Sequence, residues 1–320
     1  LDEVIVTATS NGVFGSNKTG TETNISQRQV ATTPAASRSL ADFVRLTPQA
    51  QLSEGDDGFS ISLAGQNNRY NAIYIDGAVN NDVFGLSSSG TNGGQTGIAP
   101  FSIDIIDQLQ VVLSPYDVTL GGFAGGGINA VTKSGTNEFK GSLYYFNQNE
   151  SLVGKTNGQL ADRIGLENED REGVDEFTQQ TYGFTLGGPI IQDKLFFFAN
   201  AELQDDVTPR PFDPNLYSDQ EGQASVQDIQ NLRDFLINQY NYDPGTFGDT
   251  QNELQGTKFF GKLDYNINND NRLTLRHQYT KAEEFSRNAG NSRNINFMHR
   301  SAALRASHPI GLVRSVRFGF

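Results

Sequence analysis

From Gly141 to the end of the chain, apolar side chains recur at every second position over long stretches. A period of two restricts this part to extended antiparallel strands. In Thr181–Leu186, Tyr182, Phe184 and Leu186 fall on one side, with Thr181, Gly183 and Thr185 on the other. Lys258–Ile267 sets Phe259, Leu263, Tyr265 and Ile267 against Lys258, Lys262, Asp264 and Asn266. Arg272–Thr280 sets Leu273, Leu275 and Tyr279 against Arg272, Thr274, Arg276, Gln278 and Thr280. One face suits lipid and the other a wet interior, but a soluble β-sandwich has the same period. Alternation alone leaves both open.

Connection lengths separate the two. The linkers run long (Gln148–Phe177), short (Gly187–Asp193), long (Asp205–Gly256), short (Asn268–Asn271), medium (Glu283–Asn296) and short (His308–Arg314). A membrane barrel with short turns at one rim and long loops at the other produces this alternation; a sandwich has no reason to. The spacing predicts about seven strands, the last being Ser315–Phe320. A barrel of about eight strands is filled by its own side chains. It could not also enclose the preceding chain, so the barrel is expected to be incomplete here.

Composition is consistent with that reading. Mean hydropathy is −0.47, and no run of eighteen apolar residues exists, which rules out a transmembrane helix. Strands escape that test because only alternate residues meet lipid. The chain has 22 Phe, 11 Tyr and 34 Gly, favouring β structure. It has no Cys, hence no disulfide or thiolate metal site. A net charge of −13 argues against nucleic-acid partners.

No chemistry of catalysis emerges. Gly125-Gly126-Gly127-Ile128-Asn129-Ala130 matches a dinucleotide fingerprint in form, but it runs into the β-branched Ile128–Thr132 instead of opening a helix. His277, His299 and His308 have no metal-ligand spacing, and no two carboxylates are placed to converge. The acidic run Glu167–Glu176 reads as a solvated face. The expectation is a non-enzyme without cofactor or metal centre.

Before Gly141 the pattern differs. Ser39–Leu46 carries a capping-box start, Ser39 with Asp42, ahead of Leu40, Phe43 and Val44 on one face. Phe59–Leu63 and Ala72–Ile75 read as short strands separated by the polar Gly65–Asn71. Asn80–Pro100 is a long polar loop of the kind that carries function. In Asp104–Phe146, a strand over Gln110–Leu113 leads through a glycine cluster to a second over Ile128–Thr132. A polar hinge, Lys133–Lys140, and an aromatic strand follow. Farther on, Ser225–Tyr240 reads as a capped amphipathic helix, expected to pack on neighbouring loops.

That order resembles the TonB-dependent outer-membrane receptors. Asp104–Phe146 resembles the end of their plug domain and first barrel strand, Ile61–Asp82 the preceding plug strands, and Tyr182–Phe198 the Oar-like branch. The resemblance implies an α+β plug domain followed by antiparallel transmembrane β-barrel strands of a barrel that closes with twenty-two. Residues 1–20 would be a TonB-box-like segment and linker, 21–137 the plug, and 138–320 the N-terminal portion of the barrel. It implies energised uptake in the outer membrane of a Gram-negative bacterium, with surrounding lipid, an external ligand and a TonB-type periplasmic protein as partners. Asp2, Glu3, Val4, Ile5, Val6, Thr7 and Ala8 would form the recruiting strand. Asn80, Asn81, Asp82 and Phe84 would face the external cavity and meet the ligand. Ala64, Gln110, Leu113 and Ser114 depart from the family pattern, so its polar plug-to-barrel locks are not expected at those positions. Two further readings stand beside uptake: an Oar-like surface protein for adhesion or assembly, and a soluble β-rich binding domain with Leu263, Tyr265, Leu273 and Leu275 in its core.

Overall fold

The computed structural model describes residues 20–35, 38–55, 58–82, 87, 90–91, 96–115, 123–155, 173–210, 225–247, 250–268, 271–285, 290–291, 294–295 and 303–318. The first unit is built on a five-stranded sheet of β1 (Gly20–Ile25), β4 (Ala72–Ile75), β5 (Ala78–Val79), β6 (Ile106–Pro115) and β7 (Gly127–Thr132), in the order β1-β6-β7-β4-β5. β4 and β7 pair in parallel; the other pairs are antiparallel. α1 (Gln27–Thr32) and α2 (Leu40–Val44) precede a separate hairpin, β2 (Ala50–Gly55) with β3 (Gly58–Leu63). The expected Ser39 cap is present: its hydroxyl accepts from Ala41 N–H, and Asp42 reaches back to the Ser39 N–H. All five residues of α2 are buried, since the helix is too short to stand without tertiary packing.

The second unit is a six-stranded antiparallel sheet. Its strands are β8 (Lys140–Asn149), β9 (Thr178–Ile191), β10 (Leu195–Arg210), β11 (Thr250–Asn266), β12 (Asn271–Phe285) and β15 (Ala303–Phe318). A short pair, β13 (Gly290–Asn291) and β14 (Asn294–Ile295), lies between the last two. The strand ends at Ile191, Leu195, Asn266 and Asn271 share one rim with the hinge at 133–139, and the strand ends that the longer stretches of sequence join lie at the other. Strands of 10 to 17 residues outrun the expected ones because they continue past the apolar band into polar sequence such as Asp205 and Glu283.

About seven strands were expected, and six form this sheet among the described residues. Ala303–Phe318 is one strand paired with β12 throughout, so His308–Arg314 is not a turn. Pro309 is paired opposite Tyr279 in a strand at the end of the sheet, the place where a missing N–H is tolerated. The alternation itself holds. Lys258 and Lys262 are 4% and 8% exposed, whereas Phe259 and Leu263 are 42% and 37% exposed. A wall that buries its lysines and displays its aromatics is inverted relative to a soluble sandwich. Leu263 and Tyr265 are therefore on the outer surface and not in a core, which removes the soluble-domain reading.

The two units share one apolar core. Phe43, Leu63, Ile75, Ile105, Leu109, Val111 and Ile128 pack with Phe198 of β10 and Phe260 of β11. The helix over 226–240, α3 (Val226–Tyr240), carries the predicted box, Ser225 with Asp228, whose hydrogen bonds hold the Asp228 carboxyl below its usual pKa. Of its apolar side, Ile229 is buried while Leu232, Phe235 and Tyr240 remain exposed. The described residues do not cover that stripe as expected.

The hinge runs tight against the sheet. A Cβ at Gly135 would overlap the carbonyl oxygens of Phe197 and Gly188, which are backbone and cannot swing aside, whereas Gly154 has open space. Asn137 and Asp193 exchange two hydrogen bonds, Asn137 Oδ1 accepting from the Asp193 N–H at 2.9 Å. Gly135→Ala should cost about 1–3 kcal/mol of overpacking and lower the folded, heat-modifiable fraction on electrophoresis. Gly154→Ala should leave it unchanged.

Candidate functional site

Polar residues on the inner wall meet the plug in three places. The first centres on Glu202 of β10, 3% exposed. From the wall, Lys258 Nζ donates to Glu202 Oε1 at 2.9 Å and the Tyr144 hydroxyl donates to Oε2 at 2.9 Å. From the plug, the Ser102 hydroxyl donates to Oε2 at 2.7 Å and Arg38 at 3.2 Å. Arg38 also pairs with Asp104 and lies 4.8 Å over the Tyr144 ring and 4.2 Å over that of Phe146. Burial disfavours its charge, but Asp104 and Glu202 more than offset this and hold its pKa above the usual arginine value. Arg38 occupies the left-handed region, φ 47°, a strained conformation for a long side chain. Its contacts hold it there.

The second place is nearer the turn rim. Asp76, also left-handed at φ 47°, accepts from the Thr132 N–H at 2.8 Å, the Thr132 hydroxyl at 2.6 Å and Arg276 at 3.2 Å. Arg276 donates to the Ile75 carbonyl at 2.6 Å, and Lys262 to the Thr132 carbonyl at 3.2 Å. Nearby in β6, burial raises the pKa of Asp107 against the opposing pull of Lys133 and Lys262. The third place is the Pro100 carbonyl, which accepts from Gln278 at 2.9 Å and Thr280 at 2.5 Å. Close by, Ile98 fills the space that Gly256 leaves on β11.

Sequence reasoning assigned Lys258, Lys262, Arg276 and Gln278 to a wet interior and did not pair them with the plug. Their inward period was the available signal. Arg38, Ser102, Asp104 and Asp76 carried none, since nothing local distinguishes them from loop residues. Of the positions that depart from the family pattern, Gln110 is wholly buried and donates to Glu22 at 2.8 Å, tying β6 to β1.

Because Asp76 and Thr132 end β4 and β7 at the turn rim, the opposite ends, Asn71 and Gly125–Gly127, point toward the long loops. A cleft of about 510 Å³ opens there, lined by Ser60, Asn67, Asn68, Arg69, Tyr70 and Ser87. Of the ligand candidates of the loop, Asn80, Asn81 and Asp82 are described, and none is among the cleft's described lining residues. Asn80 is buried. Asn81 accepts from the Ile73 N–H at 2.7 Å and donates to the Asn71 carbonyl at 3.2 Å, bracing the loop against β4. Asp82 accepts from the Ser87 N–H at 2.6 Å and so positions a residue of the cleft. Phe84 and Asp2–Ala8 lie outside the described residues, as does most of Glu167–Glu176. Among the described residues no group of His, Cys, Asp or Glu is arranged for a metal.

Replacing the buried Glu202 charge takes from Lys258 its ion-pair partner and leaves Arg38 with Asp104 alone, at a cost of about 3–5 kcal/mol. Glu202→Gln in the membrane-embedded protein should raise hydrogen exchange across Gly20–Ile25 and the Arg38 segment at least tenfold. Asp76→Asn should loosen Thr132 and leave β1 protected. Unchanged exchange in Glu202→Gln would show that the Arg38 contact does not hold the N-terminal part of the plug.

Residues 16–128 match the TonB-dependent Receptor Plug Domain, and residues 131–247 match the Outer membrane beta barrel domain. The chain is 30% identical over 253 residues to the TonB-dependent transporter Oar of Myxococcus xanthus, an alignment spanning 75% of this chain and 20% of that protein. The outer membrane transporter YddB from Escherichia coli superposes with a TM-score of 0.56 at 16% identity, over 83% of this chain and 33% of that one. The ferripyoverdine receptor of Pseudomonas aeruginosa gives 0.53 at 15% identity, over 90% of this chain and 30% of that one. At such identities the two structures show a shared fold. The chain spans about a third of their length and a fifth of Oar. With a plug sheet seated on the inner face of lipid-facing strands and both domain families matched in order, the chain belongs to the TonB-dependent receptors of the Gram-negative outer membrane.

Proposed function

We propose that this chain forms the plug and opening barrel strands of a receptor that binds a ligand outside the cell and imports it under force from a TonB-type partner. Asp2–Ala8 is the segment that partner takes hold of, by adding its β-branched run as a strand to the partner's sheet. The plug is placed at 21–137, the linker before it and the barrel from 138 onward. No step of this function calls for catalysis.

The observation that carries the reading is the unequal fastening of the plug. β1 follows the N-terminal segment directly and lies at the edge of the plug sheet, bonded along β6 alone. Load applied ahead of Gly20 reaches the β1–β6 ladder one pair at a time, from Gly20↔Pro115 to Ile25↔Leu109. α1 has no buried residue and meets the core only through the partly buried Val30, with Ala35 following it; among the described residues the next ion-paired attachment is Arg38 on Glu202. The rest of the plug is held by Asp76, Thr132, Pro100 and the hinge. A pull therefore removes the N-terminal portion while the remainder stays seated, and a path opens without emptying the barrel.

Ligand contact is assigned to the outward cleft, with Asn80, Asn81 and Asp82 as the supports of its loop and Phe84 on the same loop. Deleting Asp2–Ala8 from the full receptor should abolish receptor-dependent growth and co-purification with the periplasmic domain of the TonB-type protein, while the protein still reaches the outer membrane. Survival of the phenotype after the deletion would favour adhesion or surface assembly in place of import.

A further inference from the structure

We infer that the lipid-facing side of the barrel sheet holds the acyl chain of an outer-leaflet lipid in a furrow along β10. The inference needs the sheet only to face lipid, and import plays no part in it. The side chains that β10 turns outward are Phe197, Ala199, Ala201 and Leu203. Ala201 is small, yet it lies opposite Phe184 of β9 and Phe259 of β11, both exposed. The step between them leaves a hollow of about 480 Å³ bounded by Leu143, Tyr145, Tyr182, Phe184, Ala201 and Leu203. Ala199 lies opposite Gly261, and there a second hollow of about 280 Å³ opens among Phe197, Ala199, Gly261 and Leu263. Ala199 and Ala201 are consecutive outward positions of one strand, so the two hollows adjoin. At other glycines of the sheet the place of the missing side chain is taken. A Cβ at Gly183 would strike the Tyr144 ring, one at Gly188 the Phe139 ring and one at Gly256 the Ile98 side chain. At Gly261 a Cβ would meet the Phe259 ring at 3.6 Å, an ordinary contact. That space is left to whatever faces the wall.

The furrow's position and dimensions select the occupant. At its upper end Tyr145 and Tyr182 stack with ring centroids 4.9 Å apart, and the Tyr182 hydroxyl donates to Gln180. One outward position farther toward the loops, Asn147, Gln180 and Asp205 pair across three strands as a polar row. The furrow therefore opens just below the polar margin on the loop side, the level of an aromatic girdle. From Leu203 to Phe197 is about 20 Å of strand, which at a tilt of about 40° spans about 15 Å of depth, one leaflet of a hydrocarbon core of about 30 Å. β9 and β11 flank β10 at about 4.8 Å on either side. Once the rings of Phe184 and Phe259 occupy their part, the furrow is one methylene chain wide. An α-helix, about 10–12 Å across with its side chains, cannot enter. A second copy related by a two-fold axis along the membrane normal would bring hollow against hollow at the same depth and leave both empty. Lipid supplies no hydrophobic drive to association, so the chain is held by dispersion contacts on both flanks, which a flat wall does not offer.

The probe is a phosphatidylcholine with a diazirine midway along one acyl chain, in phosphatidylcholine vesicles holding the full receptor. After irradiation, peptide mass spectrometry should place about fivefold more label on Tyr182–Phe184 and Phe197–Leu203 than on the outward Leu273 and Tyr279 of β12, as added dispersion contacts along the chain require. Ala201→Phe fills the upper hollow and Gly261→Leu the lower, each with a side chain that faces lipid. Either should bring the furrow's label down to the level of β12, and heat-modifiable mobility will confirm that each variant is folded. Label spread evenly over the outward residues, or favouring β12, would overturn the inference. So would survival of the excess in either folded variant. The comparison within the unaltered receptor stands without the variants, and neither measurement needs an energising partner or an imported ligand.

Discussion

The structure depends on satisfying the charges that the barrel wall turns inward. A sheet facing lipid must direct its polar side chains to the other side, so Glu202, Lys258, Lys262 and Arg276 follow from the period of two as surely as the outer aromatics do. Once the plug covers them they are buried, and a buried charge without a partner costs several kcal/mol. The plug supplies the partners. Arg38 and Ser102 meet Glu202, and Asp76, Thr132 and the Ile75 carbonyl meet Lys262 and Arg276. Apolar contact adds Phe198 and Phe260, but contact of that kind tolerates sliding, whereas paired charges do not. A small rigid shift of the plug would strand charges on both surfaces at once.

Seating the plug by discrete clusters also decides which part of it can leave. Residues 72–132 are tied to the wall through Asp76, Thr132 and Pro100, and the chain then passes Gly135 into β8, so this portion is anchored by bonds and by connectivity. Residues 20–38 have an edge strand, a helix with no buried residue, the core contacts of Ile25, Val30 and Ala35, and one arginine on the wall. The asymmetry is energetic, since the ladder of β1 breaks pair by pair while each cluster breaks as a unit. Arg38 is the boundary between the two regimes, and its strained backbone means that the region after α1 relaxes once the guanidinium lets go.

Much of the barrel was legible because a strand's faces are fixed by local sequence. Phe259, Leu263 and Tyr265 separate from Lys258, Lys262 and Asp264 whatever the rest of the chain does. Strand ends were less legible, since β10 and β12 extend through Asp205 and Glu283 where composition turns loop-like but the backbone ladder persists. Pro309 and Gly311 imitate a turn in one dimension, and only pairing with β12 shows otherwise. The plug contacts were not legible for a different reason. Arg38 and Glu202 are 164 residues apart, and no periodicity links positions brought together by docking one domain inside another. The cleft was half legible: Gly65–Asn71 stood out as a polar spacer, but its direction follows from where β4 and β7 end.

The same two strands set how the cleft communicates with the rest of the plug. The strap from Ile98 to Asp104 is fixed to the wall by Pro100 and Ser102, so a displacement at the outer loop is absorbed there before it reaches β6. The β3–β4 turn has a shorter bonded route. Tyr70 holds Ala124 and Gly125, and Asn71 accepts from the Gly126 N–H at 3.1 Å while donating to the Ile61 carbonyl at 2.7 Å. Gly127 begins β7, whose ladder runs to β6 and through it to β1. A shift of the turn carrying Arg69 and Tyr70 therefore acts on the sheet whose far edge is β1, the strand that the proposed import would pull. For that to favour release, the bonded turn must have two arrangements of differing affinity. The close contacts at Gly125 and Gly126 favour a discrete change there over a graded one, because packing so tight leaves no room for small adjustments.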